Sequence, residues 1–469
     1  MKDEDKIARI AYASRTALIA LQFVANRLIP DHDAGVFTYP APTGGRNYCD
    51  AAVDYALGGF LRWDAQYFMH IARHGYTYEN ALAFFPFYPL AVSVAGRTVS
   101  PALIFCQLDS ILLAVFVIVN VVVFKHAALA LYKLTGALFD QRLAYGSAVL
   151  FCFNPASVFF VAPYTECVFS YLTFQSLTNC LSLHAKYAKP KAAFSIKDLL
   201  YLTPVALSTA TRSNGLLNVG FPVYIVACSC LKGLKPNSPN LNVLRVVKHF
   251  AVAVVVAAFC VLPFAAYQYY CYRMFCDDFV ANVGPAIIEH ARRNGFVLPG
   301  EFAKHNQSWC HRSMPLAYSY VQDRYWNVGL LRYYRLKQVP NFLLALPALA
   351  ITSRYCVKLL CVNFRRNPRF LLAFDPKGAG QGVYAAEGGV FALHALFLSV
   401  FCALFVHVQV STRMLCSATP AFYWACADNV NLLKVPGRTD SPTELFFRTY
   451  FVSYFIAGTL LFCNFLPWT

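Results

Sequence analysis

Residues 103–124 read LIFCQLDSILLAVFVIVNVVVF, and this stretch decides the fold. About 20 mostly apolar residues suffice for a helix to cross the hydrocarbon core of a bilayer. Comparable runs cover 143–162, 250–270, 389–410 and 446–466. The chain is 58% hydrophobic and 13% charged, whereas soluble domains carry about 25% charged residues. The sequence therefore predicts an all-α polytopic membrane protein that forms a single unit over 1–469.

The apolar pattern predicts about eleven transmembrane helices, at 9–29, 104–131, 143–162, 166–185, 199–211, 215–231, 249–272, 340–362, 388–408, 414–427 and 446–466. The first of them resembles a signal peptide. Arg15 and Asn26 interrupt it and no small-x-small cleavage site follows, so we expect a retained span.

The net charge of +17 is concentrated in short loops, and placing these loops in the cytosol satisfies the positive-inside rule. The opposite side, called the outer side below, then receives 30–86 and the long segment 272–339. The long segment is itself basic. Long loops cross regardless of charge, but its cations also suit contact with phosphate. No nucleic-acid partner is expected.

Seventeen cysteines are present, and most lie in apolar runs. Cys49, Cys276 and Cys310 lie in outer segments and could pair if that compartment is oxidising, but the sequence does not give the connectivity. No Cys/His spacing and no acidic pair at ligand spacing is found, so no metal is expected.

Asp64 is the strongest catalytic candidate. In a helix over 60–73 it would border an apolar stripe at the membrane surface, next to Trp63. A carboxylate there suits proton abstraction from an alcohol. The alternative is a helix cap, or a salt bridge to Arg62 or Arg73.

Two further charges lie in tight outer turns. Glu166 would bind an acceptor group or, alternatively, cap the following helix. Arg212 would bind phosphate or pair with Asp64, because a charge at such depth is a functional candidate by default.

Two later stretches carry the remaining candidates. In 319–347, Tyr325 and Trp326 offer rings for sugar stacking and Arg332 suits phosphate, although an aromatic belt with snorkelling cations is the alternative. In 407–420, Gln409 and Arg413 lie at the mouth of an apolar span. His407 beside them is more often structural.

Together these motifs resemble the PIG-V family of mannosyltransferases. The resemblance rests on WD at 63–64, GY at 75–76, AFFP at 83–86, NPASVFF at 154–160, RSNG at 212–215, YWNVG at 325–329, KQVPNF at 337–342 and HVQV at 407–410. It implies the C-type glycosyltransferase architecture, with an active site formed by luminal loops in the endoplasmic reticulum membrane. The first luminal loop, 30–86, would supply the essential acid, which maps onto Asp64.

The resemblance also implies the chemistry. Members use dolichyl-phosphate mannose as donor, without a further cofactor, and add an α-1,6-linked mannose to the first mannose of the glycosylphosphatidylinositol (GPI) precursor with inversion. Asp64 would be the base, while Arg212, Arg332 and Arg413 would face the departing phosphate. Trp63 is also predicted to bind substrate. Sites of this superfamily sometimes contain a second luminal acid, for which Glu166 or Glu79 is the candidate here. The lipid-linked donor and acceptor are the expected partners. The sequence does not indicate whether an accessory membrane subunit takes part.

Two other functions fit the composition. One is a different transferase that uses dolichyl-phosphate sugars, and the other is a lipid-sugar transporter or scramblase, for which repeated halves would be expected. His70, His74 and Glu79 are interpreted as loop scaffolding. The Asn306 sequon agrees with a luminal position of its loop.

Overall fold

A computed structural model describes residues 2–40, 45, 47–187, 189, 193–234, 239–277, 283–301, 309–372, 382–430 and 441–468. Asn306 lies outside these residues. The described chain contains helices and no strand, in the order α1 Asp3–Leu28, α2 Tyr48–Leu57, α3 Ala65–His74, α4 Phe87–Val99, α5 Leu108–Leu138, α6 Gln141–Cys152, α7 Glu166–Tyr187, α8 Asp198–Thr211, α9 Gly220–Lys232, α10 Pro239–Phe275, α11 Pro285–Asn294, α12 Ala317–Trp326, α13 Val339–Arg366, α14 Gly389–Leu404, α15 Ser411–Ala418, α16 Ala421–Ala427 and α17 Pro442–Cys463.

This architecture confirms the prediction of an all-α multi-pass membrane protein. Seven helical stretches within the described ranges are long and apolar enough to cross a membrane: Asp3–Leu28, Leu108–Leu138, Ser213–Lys232, Asn240–Phe275, Leu336–Arg366, Ala386–Leu404 and Pro442–Cys463. The predicted number of eleven spans is not confirmed.

Three of the predicted spans are broken. The helix expected over 143–162 ends at Cys152, before Asn154 and Pro155, and a 3₁₀ turn follows at Ser157–Phe160. The span at 215–231 begins as a 3₁₀ turn, and Pro420 divides the one at 414–427 into α15 and α16. Proline lacks the backbone N–H that continues a helix. Such breaks at membrane depth require protein or a cavity beside them.

Two disulfides lie in segments assigned to the outer side. Cys276 pairs with Cys310, both of them outer-segment candidates, while Cys49 pairs with Cys106, which the predicted span 104–131 included. The reason is that α5 begins only at Leu108. The outer segment therefore continues past residue 86 through α4, which is too short to cross a bilayer.

The helix α5 is the centre of the bundle and packs against α1, α4, α6 and α7. Its one buried amide, Asn120, lies in the apolar run and connects three elements. The side chain accepts a hydrogen bond from the Tyr88 hydroxyl (2.8 Å) and donates one to the Ala162 carbonyl (2.6 Å). Asn120 thus fixes the loop that leads into α7.

Arg15 explains how the break after α6 is stabilised. Its guanidinium is fully buried and donates to the carbonyl groups of Cys152 (2.8 Å) and Ser157 (3.0 Å). It also lies 3.9 Å from the centre of the Phe124 ring, a cation–π contact. The carbonyl groups freed where the helix ends therefore find a partner inside the protein.

We predict that Arg15→Leu destabilises the protein because it leaves these carbonyl groups without donors in a region that excludes water. Unpaired buried polar groups cost about 1–3 kcal/mol each, so the thermal midpoint in detergent should fall by several degrees. Arg9→Leu is the matched control, because Arg9 lies on the same helix and is exposed. Equal midpoints for the two variants would contradict the role of Arg15.

Candidate active site

A cavity of about 720 Å³ opens where α3, α7, α8, α12 and α15 approach one another. Almost all of the predicted site residues line it, although they come from separate parts of the chain. They are Trp63, Asp64, Glu166, Arg212, Tyr325, Trp326, Gln409 and Arg413. Arg332 does not belong to this group.

Asp64 reaches the cavity through a local backbone feature. The helix expected over 60–73 begins only at Ala65, after a 3₁₀ turn at Gly58–Phe60, and Trp63 has a positive φ of 55°. This conformation is uncommon outside glycine, and it turns the chain just before Asp64. Asp64 occupies the N-cap position without capping through its side chain, and its backbone N–H donates to the Tyr164 hydroxyl (3.0 Å).

The carboxylate of Asp64 forms an ion pair with Arg413, with 3.0 Å between Oδ2 and Nη1. Neither of the alternatives that the sequence offered is present. Arg62 pairs with Asp31 at 2.9 Å, and Arg73 pairs with Asp109 at 2.8 Å.

The ion pair continues into a chain of four charges. Arg413 Nε lies 3.6 Å from Glu166 Oε1, and Arg212 Nη1 lies 2.5 Å from the same oxygen. The expected side-chain partner of Arg212 was Asp64, but in the structure it is Glu166, and binding of a phosphate by Arg212 stays a prediction. The order Asp64–Arg413–Glu166–Arg212, called the charge chain below, balances two negative against two positive groups.

Burial differs along the charge chain. The Glu166 side chain is 0% exposed, those of Arg413 and Arg212 are 14% and 16% exposed, and that of Asp64 is 28% exposed. A buried charge is tolerated only when it is paired, since its desolvation costs several kcal/mol. Glu166 therefore holds the two arginines, while Asp64 is the carboxylate that is open to the cavity.

Each member of the charge chain lies where a helix begins or ends. Glu166 is the first residue of α7, Arg212 follows the last residue of α8, and Arg413 lies in the first turn of α15. Arg212 also donates to the Thr165 hydroxyl (3.1 Å). A carboxylate at the start of a helix is favoured by the helix dipole, which explains part of the position of Glu166.

Aromatic rings form the opposite wall of the cavity. Tyr67 lies between Phe37 and Phe84, with ring centres 4.0 Å and 4.5 Å apart, and Trp326 is 5.9 Å from Phe84. Tyr325 and Trp326 line the cavity as rings suited to sugar stacking would. Trp63 contributes an indole Nε1 that has no hydrogen-bond partner among the described residues.

Gln409 lies at the rim of the cavity within a polar network. Its Oε1 accepts a hydrogen bond from the Tyr333 hydroxyl (2.9 Å), and the Tyr333 ring stacks on His407 at 4.6 Å. Asn341 also donates to that hydroxyl (2.8 Å). Through Tyr333, this network joins HVQV at 407–410 to KQVPNF at 337–342, although the two motifs are far apart in the sequence.

Arg332 lies apart from the cavity, against the prediction. It forms an ion pair with Asp323, and the two side chains are 48% and 46% exposed. Its spacing in a basic aromatic stretch resembled that of a phosphate ligand, but a surface pair accounts for it.

Glu79, interpreted above as scaffolding, is fully buried and accepts hydrogen bonds from Trp309 Nε1 (3.0 Å) and the Tyr325 hydroxyl (2.7 Å). Burial raises the pKa of Glu79 to about 7, although both hydrogen bonds oppose the rise. The His70 ring stacks on Tyr78 at 4.5 Å, and burial lowers the pKa of His70 to about 3. His74 lies beside His70, and burial lowers its pKa to about 4.

No group of three or more His, Cys, Asp or Glu side chains suited to a metal ion occurs among the residues that the structure describes. The site as it stands offers a carboxylate, two guanidinium groups and aromatic rings. These groups can accept a proton, bind an anion and bind a sugar face.

The fold is that of a multi-pass membrane protein whose helices enclose a cavity lined by paired charges and aromatic rings. The family model described as mannosyltransferase (PIG-V) matches residues 4–469, and the chain belongs to this family. The family predicted from the sequence motifs is thereby confirmed, and the protein is a mannosyltransferase.

Relatives that align with almost the whole chain carry names that agree with this family. The chain is 35% identical over 469 residues to GPI mannosyltransferase 2 of Drosophila melanogaster, with 99% of this chain and 100% of that protein covered. It is 35% identical to GPI alpha-1,6-mannosyltransferase 2 of Homo sapiens, with 99% and 98% covered. An oligosaccharyltransferase of Archaeoglobus fulgidus shows a looser likeness, with a TM-score of 0.42 and 13% identity over 96% of this chain and 55% of that chain. Nothing about chemistry follows from that likeness.

We predict that Glu166→Gln disrupts the charge chain, because it leaves two partly buried arginines with one carboxylate. Mannosyl transfer should fall by about 10- to 100-fold, the value of one hydrogen bond to a charged group. The measurement is transfer by purified protein. Glu289→Gln is the control, since Glu289 forms exposed pairs with Arg292 and Arg293 on the same short helix, α11. An active Glu166→Gln enzyme would contradict the importance of the charge chain.

Proposed function

We propose that this protein adds the second mannose of the GPI anchor, in α-1,6 linkage, from dolichyl-phosphate mannose to the first mannose of the precursor. The observation that carries the proposal is the position of Asp64. Its carboxylate faces a cavity that also contains Arg212 and Arg413, so a proton acceptor and an anion site lie side by side.

The transfer is a single displacement. The 6-hydroxyl oxygen of the acceptor attacks the anomeric carbon of the donor mannose, and its proton passes to Asp64. The bond from that carbon to the phosphate oxygen breaks, and dolichyl phosphate departs with the electron pair. Arg212 and Arg413 stabilise its charge, because donors that are already oriented need no reorganisation during the reaction.

Glu166 has a supporting part in this scheme. By binding both guanidinium groups it holds them near the phosphate position before the substrate arrives. Trp63, Tyr325, Trp326 and Gln409 provide ring faces and polar atoms for the two sugars. Arg332 has no place in this site.

The names of the relatives support the choice of substrate, since mammalian relatives are called GPI alpha-1,6-mannosyltransferase 2. The location that we propose is the endoplasmic reticulum membrane, with the cavity facing the lumen. Two disulfides in the outer segments favour this side, because disulfides persist in oxidising compartments. Both substrates carry lipid, which accounts for a site at the bilayer edge.

We predict that Asp64→Asn abolishes most of the activity because an amide does not accept the proton. The loss should be about 10²- to 10⁴-fold in kcat, the usual contribution of a general base. Single-turnover transfer by purified protein measures it. Asp31→Asn is the control, since Asp31 lies in the same outer segment and forms a half-exposed pair with Arg62. Wild-type kcat in Asp64→Asn would rule out Asp64 as the base.

A reconstitution assay tests the substrates themselves. Purified protein given dolichyl-phosphate mannose and the one-mannose precursor should form the two-mannose product, and α-1,6-mannosidase should remove the added sugar. Transfer of a different sugar, or to a different acceptor, would favour another transferase of this type. Movement of lipid across vesicles without a glycosidic product would favour a transporter.

A further inference from the structure

The buried carboxylate of Glu79 connects two outer segments that are distant in the sequence. Glu79 begins a 3₁₀ turn, Glu79–Ala83, in the first outer segment. Its Oε1 and Oε2 accept hydrogen bonds from Trp309 and Tyr325, and its backbone N–H donates to the Val297 carbonyl at 3.1 Å. All three partners belong to the long outer segment 272–339. We call Glu79, Trp309 and Tyr325 the Glu79 cluster.

The Glu79 cluster is closed to solvent on its outer side. Trp309 is fully buried, and the next residue, Cys310, is joined by a disulfide to Cys276 just past the end of α10. One donor of the cluster is therefore anchored to the helix bundle. A buried carboxylate without donors would be costly, so the two hydrogen bonds fix where both rings can lie.

The other donor reaches the cavity. Tyr325 lines the cavity directly, and so does Phe296, the residue before Val297. The Glu79 carboxylate thus fixes the position of Tyr325 while it stays buried, and the backbone N–H of Glu79 joins the Phe296 segment to the same turn. Asn80, its neighbour, also lines the cavity and donates weakly to the Tyr67 hydroxyl (3.4 Å).

We propose that Glu79 is a positioning residue for the sugar-binding wall, acting through the hydrogen bond that its carboxylate accepts from Tyr325. The proposal rests on the proposed function, since it takes the wall to bind the mannose units of the substrates. Glu79 transfers no proton in this role. Its loss should weaken sugar binding and leave the chemical step intact.

Two conservative substitutions test this role. Glu79→Gln retains an acceptor for one donor and loses the charge, and Tyr325→Phe retains the ring and loses the hydroxyl. Each should raise KM up to about tenfold, the value of one buried hydrogen bond, with kcat within about twofold of the wild type. Glu301→Gln is the control, because Glu301 lies in the same outer segment and accepts a local, exposed hydrogen bond from the Leu298 backbone N–H.

The double variant decides whether the two residues act together. If Glu79 acts through Tyr325, the double variant Glu79→Gln/Tyr325→Phe should have a KM at most about twofold higher than that of the more severe single variant. The proposal would be overturned if the KM increase of the double variant were the product of the two single increases. A fall in kcat with unchanged KM would overturn it as well.

Backbone amide exchange separates this proposal from the proposed function, because it needs no substrate. Exchange in α12 should accelerate in Glu79→Gln and in Tyr325→Phe, and stay unchanged in Glu301→Gln. Unchanged exchange in all three variants would overturn the role of the Glu79 cluster even in an active enzyme. Faster exchange in a protein that transfers no mannose would instead overturn the proposed function alone.

Discussion

The buried carboxylate of Glu166 is the constraint on which the site depends. A fully buried negative charge at the edge of a helix bundle has to be neutralised, and two guanidinium groups approach the same oxygen. Arg212 pairs with Glu166 and donates to the Thr165 hydroxyl, whereas Arg413 is shared between Glu166 and Asp64. The arrangement balances its charges without a substrate, and Asp64 is its most exposed member. In the proposed reaction, the departing phosphate would meet arginines that are already oriented.

The charge chain also lies where the helices are interrupted. Glu166, Arg212 and Arg413 lie at or next to ends of α7, α8 and α15. Each break frees backbone groups that need partners inside the protein. Arg15 supplies donors to the carbonyl groups after α6, and Asn120 supplies one to the loop before α7. Two polar residues within apolar spans thus stabilise the irregular backbone that forms the site.

Hydropathy was sufficient to predict the membrane fold, and the charged residues of the cavity stood out because their surroundings are apolar. Which of these residues form ion pairs could not be predicted from the sequence, since Asp64 and Arg413 are 349 residues apart in the chain. Local spacing favoured Arg62 or Arg73 instead. It also selected Arg332, because a surface arginine beside tyrosines looks the same in sequence as a phosphate ligand. The number of spans was uncertain for a related reason: hydropathy does not show where proline divides a run.

Asp64 and Glu79 show how one outer segment gives two acids different roles. Both lie among aromatic residues, so their sequence context distinguishes them poorly. The Asp64 carboxylate is partly open to the cavity and faces an arginine, while that of Glu79 is fully buried and accepts two neutral donors. An acid in the first position can exchange a proton with a substrate, and an acid in the second can only hold its donors in place. Access to the cavity, rather than the presence of a carboxylate, therefore decides which residue can act as the base.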